Sequence, residues 1–393
     1  MGYKQYSLIN IELRRLVKFV TDDVTILTLE TEICALGILK CFVASSTDDH
    51  NSYGLNGDGE EVSKQGYSKA KDRRQQRIEE TQKLVMKRLL SKPRRKIDEL
   101  CSELDRTCFT ITDKMFKHGN ALFAFRSLRR KGPEGVLILS QTKLQPQLPL
   151  NWENFNSKAW IVKKDYVRLT YAQLMIAGAF LSGGLEFNTT RKQDVLIIGL
   201  GGGVINNYFT QMKNQVLNVT VVDIDPVMLK VAKKWFGFTE SPLHRIVIDD
   251  GVRYIHDAAR RGEKYDVLII DVCYNIPLPM MCPTKEFLED DLIASMKAIT
   301  TDNGAVIVNL IVKQSEEALK ALPLYSRHYP SCYFINYGKE KPKRTTLTLT
   351  LQMNAFAITP KLWISLLDFS CFQLLIHRSI EVAVKNNDSS ANR

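Results

Sequence analysis

The sequence predicts an α/β protein built on a doubly wound, mostly parallel, seven-stranded sheet, preceded by a small strand-rich N-terminal subdomain. Three observations carry this. Five near-continuous apolar runs, "VLIIGL", "VTVVDI", "RIVIDD", "YDVLIIDV" and "GAVIVNLIV", read as parallel strands covered on both faces. Helical stretches at 204–212, 226–236, 252–261, 285–299 and 315–329 separate them or follow the last, which gives a β-α repeat. The last two strands, "SCYFINYG" and "RTTLTLTLQM", are joined by the polar "KEKPK" without a helix, so they form a terminal antiparallel hairpin.

The elements follow in order. Residues 1–46 alternate polar and apolar in pieces such as "VTILTLETEICALGILKCFV", which predicts a strand-rich N-terminal segment. Residues 47–70 are polar and glycine-rich with few apolar anchors, so burial cannot offset the cost of ordering them, and they read as a disordered linker. Residues 71–98 place Ile78, Leu84, Val85, Leu89 and Leu90 on helical spacing up to Pro93, a basic amphipathic helix. Residues 99–160 read as short strands and turns, with "RRKGPEGVLILSQTKLQ" a turn followed by a strand. The large domain spans 161–353 and opens with a helix in "DYVRLTYAQLMIAGAFLSGG" that ends at Gly183 and Gly184. Residues 354–393 form a divergent tail.

At 393 residues and 45% hydrophobic the chain can bury one large core or two modest ones. No apolar run reaches the roughly 20 residues needed to span a bilayer, and the start lacks a signal peptide's layout. Eight cysteines are scattered without a CxxC pair or a nearby histidine at ligand spacing, which predicts reduced thiols in an intracellular protein and no metal site. The net charge of +11 is local: between Lys64 and Asp98 thirteen Lys or Arg face four Asp or Glu, so the rest of the chain is nearly neutral. That segment, 64–96, is a candidate for contact with an acidic protein surface, ribosomal RNA or the nuclear import machinery, against the plainer reading of a solvated helix.

The turn after the first parallel strand, "GLGGG", leaves Gly199, Gly201, Gly202 and Gly203 without side chains, so ligand atoms can approach the backbone there. About twenty residues on, Asp223 ends the second strand, placed to accept from two ribose hydroxyls. Asp225 caps the helix that begins at Pro226. Asp250, ending the third strand, is placed to accept from the amino group of adenine, while Asp249 faces solvent or caps the next helix. No Walker lysine is present, and the glycine spacing is not that of a dinucleotide site, so the set points to an adenosine without phosphates. Asp271 ends the fourth strand, above the reactive end of such a ligand, and is the candidate chemical centre. Tyr274 and Asn275 are candidates for contact with an acceptor, with loop packing as the alternative.

At "VLIIGLGGGVINNYF", "VVDIDPVMLKVAKKWFGF", "DDGVRYI", "YDVLIIDV" and "MMCPTKEFLEDDLI", over about 165–352, the chain resembles the class I S-adenosylmethionine-dependent methyltransferases and, among them, the spermidine-synthase-like branch. It is most similar there to the C-terminal half of the elongation factor 1-alpha lysine and N-terminal methyltransferases, a likeness that the upstream "RSLRRKGPEGVLILSQ" supports. The resemblance implies a Rossmann-like fold and an S-adenosyl-L-methionine cofactor held by Gly199, Gly201, Gly203, Asp223, Asp250 and Asp271. It further implies methylation of the α-amino terminus, or a lysine, of elongation factor 1-alpha in the cytoplasm. No second glycine-rich strand-turn-helix occurs before residue 194 of this sequence, so the half that methylates lysine in that family is expected either to be absent or to lie outside the sequence at hand. The oligomeric state is open, with a homodimer among the options.

Two departures keep alternatives in play. The aminopropyltransferases of this branch carry D-x-x-D after the fourth strand, and here the second position is Tyr274. The methyltransferases usually carry an acid two residues past Asp271, where this chain has Cys273. A polyamine synthase and an inactive cofactor-binding interaction protein therefore stand beside the methyltransferase. Methyl transfer is an in-line displacement at a sulfonium carbon and needs alignment more than a strong acid. An α-amine with pKa near 8 is partly neutral at cellular pH, so one acceptor such as Asp271 suffices to position it and take its proton.

Overall fold

The computed structural model describes residues 61–119, 121–132, 135–313, 315–337, 345–352 and 380–384. The strand-rich reading of 1–46 lies outside them. The chain divides into two compact units at Glu80/Thr81. Of the first, only the start of helix α1 (Glu61–Ser91) is described, and every other described element belongs to the second.

α1 begins ten residues before the expected 71, inside the stretch read as a linker. Its start, "EVSKQGYSKA", has no apolar stripe, yet Lys, Gln, Glu and Ala are good helix formers. It also stops at Ser91, because Pro93 comes next but one and residues from Arg94 enter a strand. In the second unit Val85 and Leu89 are fully buried against Met115, Ala124, Leu144 and Trp160. Each such side chain contributes about 1.5–3 kcal/mol, and together they anchor the end of α1.

Five antiparallel strands follow as a meander, β1 (Arg94–Cys101), β2 (Cys108–His118), β3 (Ala121–Gly132), β4 (Gly135–Gln145) and β5 (Ile161–Lys163). This sheet extends the expected 99–160 at both ends. One face meets α1. Farther along that face, Arg126 donates to both oxygens of Asp113 at 2.8 and 2.9 Å, and to the carbonyls of Ser157 and Trp235 at 2.8 and 3.1 Å. Arg126 and Asp113 are buried, so the pair ties the small sheet to the next layer without a water-exposed charge.

The large sheet runs β12–β13–β11–β9–β6–β7–β8 across its main body. Its strands are β6 (Lys192–Ile198), β7 (Val216–Asp223), β8 (His244–Ile248), β9 (Tyr265–Ile270), β11 (Thr300–Val312), β12 (Ser331–Tyr337) and β13 (Thr345–Gln352). Two further strands join it: β10 (Met280–Cys282) pairs with β11, and β14 (Ile380–Val384) pairs with β12. Among the described residues the sheet thus has nine strands where seven were expected, and part of the supposed tail pairs with β12. Five strands, β8, β7, β6, β9 and β11, are parallel; the predicted β12/β13 hairpin is antiparallel, with β13 inserted against β11.

The apolar runs are legible because successive side chains enter different layers. Val195, Ile197, Val219, Val221, Val267 and Ile269 join one core with α2 (Thr170–Leu181), α3 (Val204–Phe209) and α4 (Pro226–Trp235). Leu196, Ile198, Val222, Leu268 and Ile270 join the other with α5 (Gly251–Arg260), α6 (Asp290–Ile299) and α7 (Ser315–Tyr325). The first core also takes Phe109, Ile111 and Leu128 from the small sheet, so the two sheets share one interior.

The cysteines correct the sequence reading. Cys101 pairs with Cys108 and Cys273 with Cys282 as disulfides, while Cys332 keeps a buried thiol that donates to the Tyr329 carbonyl at 3.7 Å. The first pair stands directly opposite across β1 and β2, and the second joins the loop after β9 to β10; both proximities are products of topology that spacing does not encode. Among the described residues no helix is long and apolar enough to cross a membrane.

Candidate active site

Strand order reverses between β6 and β9, and a doubly wound sheet opens a crevice past the carboxyl ends of its strands at that point. The backbone there is tightly drawn. Asp271 N–H donates to the Ile198 carbonyl and Gly199 N–H to that of Val222, both at 2.8 Å. Gly199 turns away with φ +97°, and a Cβ on it would stand 2.3 Å from the Asp271 carbonyl oxygen, so only glycine fits. Gly202 is constrained from the other side: its Cβ would meet Ser140 and the Phe236 ring, and its N–H donates to Ser140 Oγ at 2.8 Å. Gly201 and Gly203 also take positive φ, and Gly203 starts α3, which closes after six residues, short of the expected 204–212.

A narrow cleft lies over this turn, lined by Ser140, Gln141, Tyr171, Gly199, Asn206 and Asp271 among others. Asp271 sits deep in it. Asn309 of β11 donates to its carboxylate at 2.9 Å, and Tyr171 also bonds to it. Burial, with a smaller push from the charge of Asp223, raises the Asp271 carboxyl to about 6. Asn309 itself is buried, and its Oδ1 has no hydrogen-bond partner among the described residues.

Asp223 ends β7 next to the glycine turn. Its two oxygens accept from Leu200 N–H at 2.7 Å and Asp225 N–H at 2.8 Å. Burial outweighs these bonds and raises its carboxyl to about 6. Asp225 caps α4 by accepting from Val227 N–H. The cap of α5 is Asp250 and not Asp249, with Oδ1 accepting from Val252 and Arg253 N–H at 2.8 and 3.2 Å. The helix begins at Gly251, one residue earlier than expected, and this fixes the cap. Asp249 instead pairs with the Arg253 guanidinium.

The structure thus brings Gly199 and Asp271 together in the cleft, with Asp223 joined to it through Leu200. Asp250, Tyr274 and Asn275 are not in the lining. Tyr274 Oη accepts from Lys285 N–H at 3.0 Å, and Asn275 donates to Asp105 of the β1–β2 turn at 2.7 Å, so both side chains are engaged in loop packing. Sequence reasoning missed Ser140, Gln141, Tyr171 and Asn309. The first two lie at the end of "VLILSQ", a stretch that carried the resemblance but whose place against Gly202 depends on packing between sheets. Among the described residues no group of three or more His, Cys, Asp or Glu is arranged to hold a metal ion.

Comparison with known proteins places this geometry. Residues 180–325 match the spermine/spermidine synthase domain. The human eEF1A lysine and N-terminal methyltransferase is 34% identical over 160 residues, 39% of this chain and 22% of its own length. The polyamine aminopropyltransferase of Vibrio vulnificus is 31% identical over 144 residues, 37% of this chain and 42% of that protein. A probable spermidine synthase from Corynebacterium glutamicum superposes with TM-score 0.52 at 13% identity, covering 74% of this chain and 90% of that one, and so shares the fold. The matched stretch spans about a fifth of the human relative and under half of the bacterial one. Residues 180–325, with their glycine turn and Asp271, are thus similar to the spermine/spermidine synthase domain, and the chain shares the fold of the Corynebacterium protein.

Proposed function

We propose that the chain is an S-adenosylmethionine-dependent protein methyltransferase whose acceptor is an amine, foremost the α-amino terminus of elongation factor 1-alpha. The observation that carries this is that the cleft lining holds a single carboxylate, Asp271, which Asn309 steadies by donating to it. A neutral amine carries an N–H group for that acceptor. A diamine would also need a second anion for its distal charge, and at the D-x-x-D position this chain has Tyr274, tied to Lys285.

The chain's residues fit the cofactor. Gly199 leaves its backbone bare, and Asp223 offers carboxylate lone pairs beyond its two backbone bonds for ribose hydroxyls. The exposed Ile224 beside it offers an apolar face to a flat ring. Bound S-adenosylmethionine supplies a methyl group on a sulfonium centre. Asp271, ionised above about pH 6, accepts a hydrogen bond from the amine, aims its lone pair and takes its proton as the new C–N bond forms and the C–S bond breaks. The exposed bases of α1, such as Lys83, Lys87 and Arg88, would hold an acidic face of the protein partner.

The test is transfer of labelled methyl from the cofactor by the full chain to a peptide with the amino terminus of elongation factor 1-alpha, to the same peptide acetylated, and to the whole partner. Label on the free but not the acetylated peptide is expected. Aminopropyl transfer from decarboxylated cofactor to putrescine would instead establish the second reading, which the domain match and the Vibrio relative favour. Cofactor binding without turnover on any acceptor would leave an interaction protein.

A further inference from the structure

Two loops closed by disulfides meet, and one of them leads on from Asp271. The first is the β1–β2 turn, residues 102–107, closed by Cys101–Cys108. Inside it Asp105 accepts from the N–H of Thr107 at 2.9 Å and from its hydroxyl at 2.8 Å, while Arg106 takes the left-handed φ of 61°. The second is the loop after β9, residues 274–281, closed by Cys273–Cys282 and starting three residues beyond Asp271. Tyr274 N–H donates to Met281 O within it at 2.9 Å.

A single side-chain bond connects the loop tips: Asn275 Nδ2 donates to Asp105 Oδ2 at 2.7 Å. The residue next to each partner is a large apolar side chain left in water, Leu104 at 61% and Ile276 at 58% exposure. Cys101, Cys108 and Cys273 are exposed, whereas Cys282 is fully buried. Each disulfide therefore offers at least one sulfur to an attacking thiolate.

We infer that the two cysteine pairs form a thiol–disulfide modification site, a clasp in which Asn275 and Asp105 join two covalently closed loops, one of them the loop that leads on from Asp271. The inference deepens the proposed methyltransferase reading, since it concerns how that site admits its acceptor. The chemistry is exchange with a small thiol such as glutathione. Its thiolate attacks the exposed sulfur, the S–S bond breaks, and the departing sulfur leaves as a thiolate that is protonated. A second thiol resolves the mixed disulfide, giving two protein thiols and one oxidised glutathione. The open loops lose the constraint that holds Asn275 against Asp105, and the chain that follows Asp271 is released. The oxidised clasp fixes that chain next to the carboxylate proposed to meet the acceptor, so opening it acts on acceptor binding.

The experiment uses the full chain equilibrated with oxidised or reduced glutathione. Alkylation and mass spectrometry of unreduced peptides read the thiols. Hydrogen exchange reads residues 102–107 and 274–281, in the native protein and in Cys108→Ser and Asn275→Ala. Expected are protection of all four sulfurs from alkylation in the oxidised protein and exchange about tenfold faster in both loops on reduction. Cys108→Ser should raise exchange in 274–281 as well as in its own loop, and Asn275→Ala should abolish that cross-effect. Where turnover is measured, reduction should change KM for the acceptor and leave cofactor Kd unaltered. Full alkylation of all four cysteines after oxidised glutathione, or exchange in 274–281 indifferent to Cys108→Ser, overturns the clasp. Absence of methyl transfer to any acceptor would overturn the activity instead, and the alkylation and exchange data would still decide the clasp.

Discussion

Replacing Asp223 by Asn separates what this carboxylate does for the ligand from what it does to the fold. Its carboxyl is lifted from the ordinary 3.8 to about 6 because burial outweighs the two backbone N–H bonds from Leu200 and Asp225. A rise of that size corresponds to about 3 kcal/mol against the ionised form in the ligand-free protein. The sign follows: a carboxyl with a raised folded pKa favours the fold below pH 4, and that advantage is lost as pH climbs through 4 to 6. Asparagine is never ionised, so the variant escapes this penalty at pH 7.5. It turns an amino group toward one of the two N–H donors and gives up a bond to a charged group, about 1.5–3 kcal/mol. The two terms nearly cancel. The ligand-free variant should melt within about 4 °C of the native protein at pH 7.5, and its stability should show a shallower fall between pH 4 and 6. Cofactor binding should drop by about 2–4 kcal/mol, roughly 30- to 1000-fold, because the ribose hydroxyls lose a charged acceptor. Thermal melts across pH together with calorimetric titration of S-adenosylmethionine measure both. Unchanged affinity would refute the ribose role, and a melting point lowered by 10 °C or more would refute the balance of burial against backbone bonds.

The pH–rate profile on an amino-terminal peptide should rise as Asp271 ionises through about 6 and rise again toward the amine's own pKa near 8. Asp271→Asn should remove the lower limb and cost about 10²- to 10⁴-fold in kcat/KM; an unaltered lower limb would assign it to another group. Arg126→Met leaves Asp113 as an unpaired charge in the interior, at a cost of about 3–5 kcal/mol, and should lower Tm by roughly 10 °C. Adding Asp113→Leu should recover much of that loss, and failure of the double variant to recover would show that the carbonyls of Ser157 and Trp235 matter more than the ion pair.

What could be read in advance divides along a physical line. The five parallel strands are visible in "VLIIGL" and its successors because burial on both faces removes polar residues from the text itself. Gly199 is visible for a similar reason, since a backbone carbonyl occupies the space of its missing Cβ. That Asp250 rather than Asp249 caps α5 was not visible, because a cap is defined by where a helix begins, and that boundary moved by one residue. Asn309 and Ser140 carry no local signature: each acts through a partner on another strand, Asp271 or Gly202. The start of α1 and the strand β14 were hidden because a polar helix has no stripe and a five-residue edge strand too little pattern.

Ser140 turns the glycine loop into joint property of both sheets. The hydroxyl that receives Gly202 N–H comes from β4, and Arg126 of β3 fastens the carbonyl of Trp235 on the opposite layer. A fragment cut to residues 180–325, the stretch similar to the synthase domain, would retain the glycine turn and Asp223, Asp250 and Asp271 and still lack a wall of its own cleft, since Ser140, Gln141 and Tyr171 lie upstream. The smallest portable form of this cleft therefore reaches back into the meander. Grafting this cleft onto another carrier means moving the small sheet as ligand-facing masonry, with its cavity side intact.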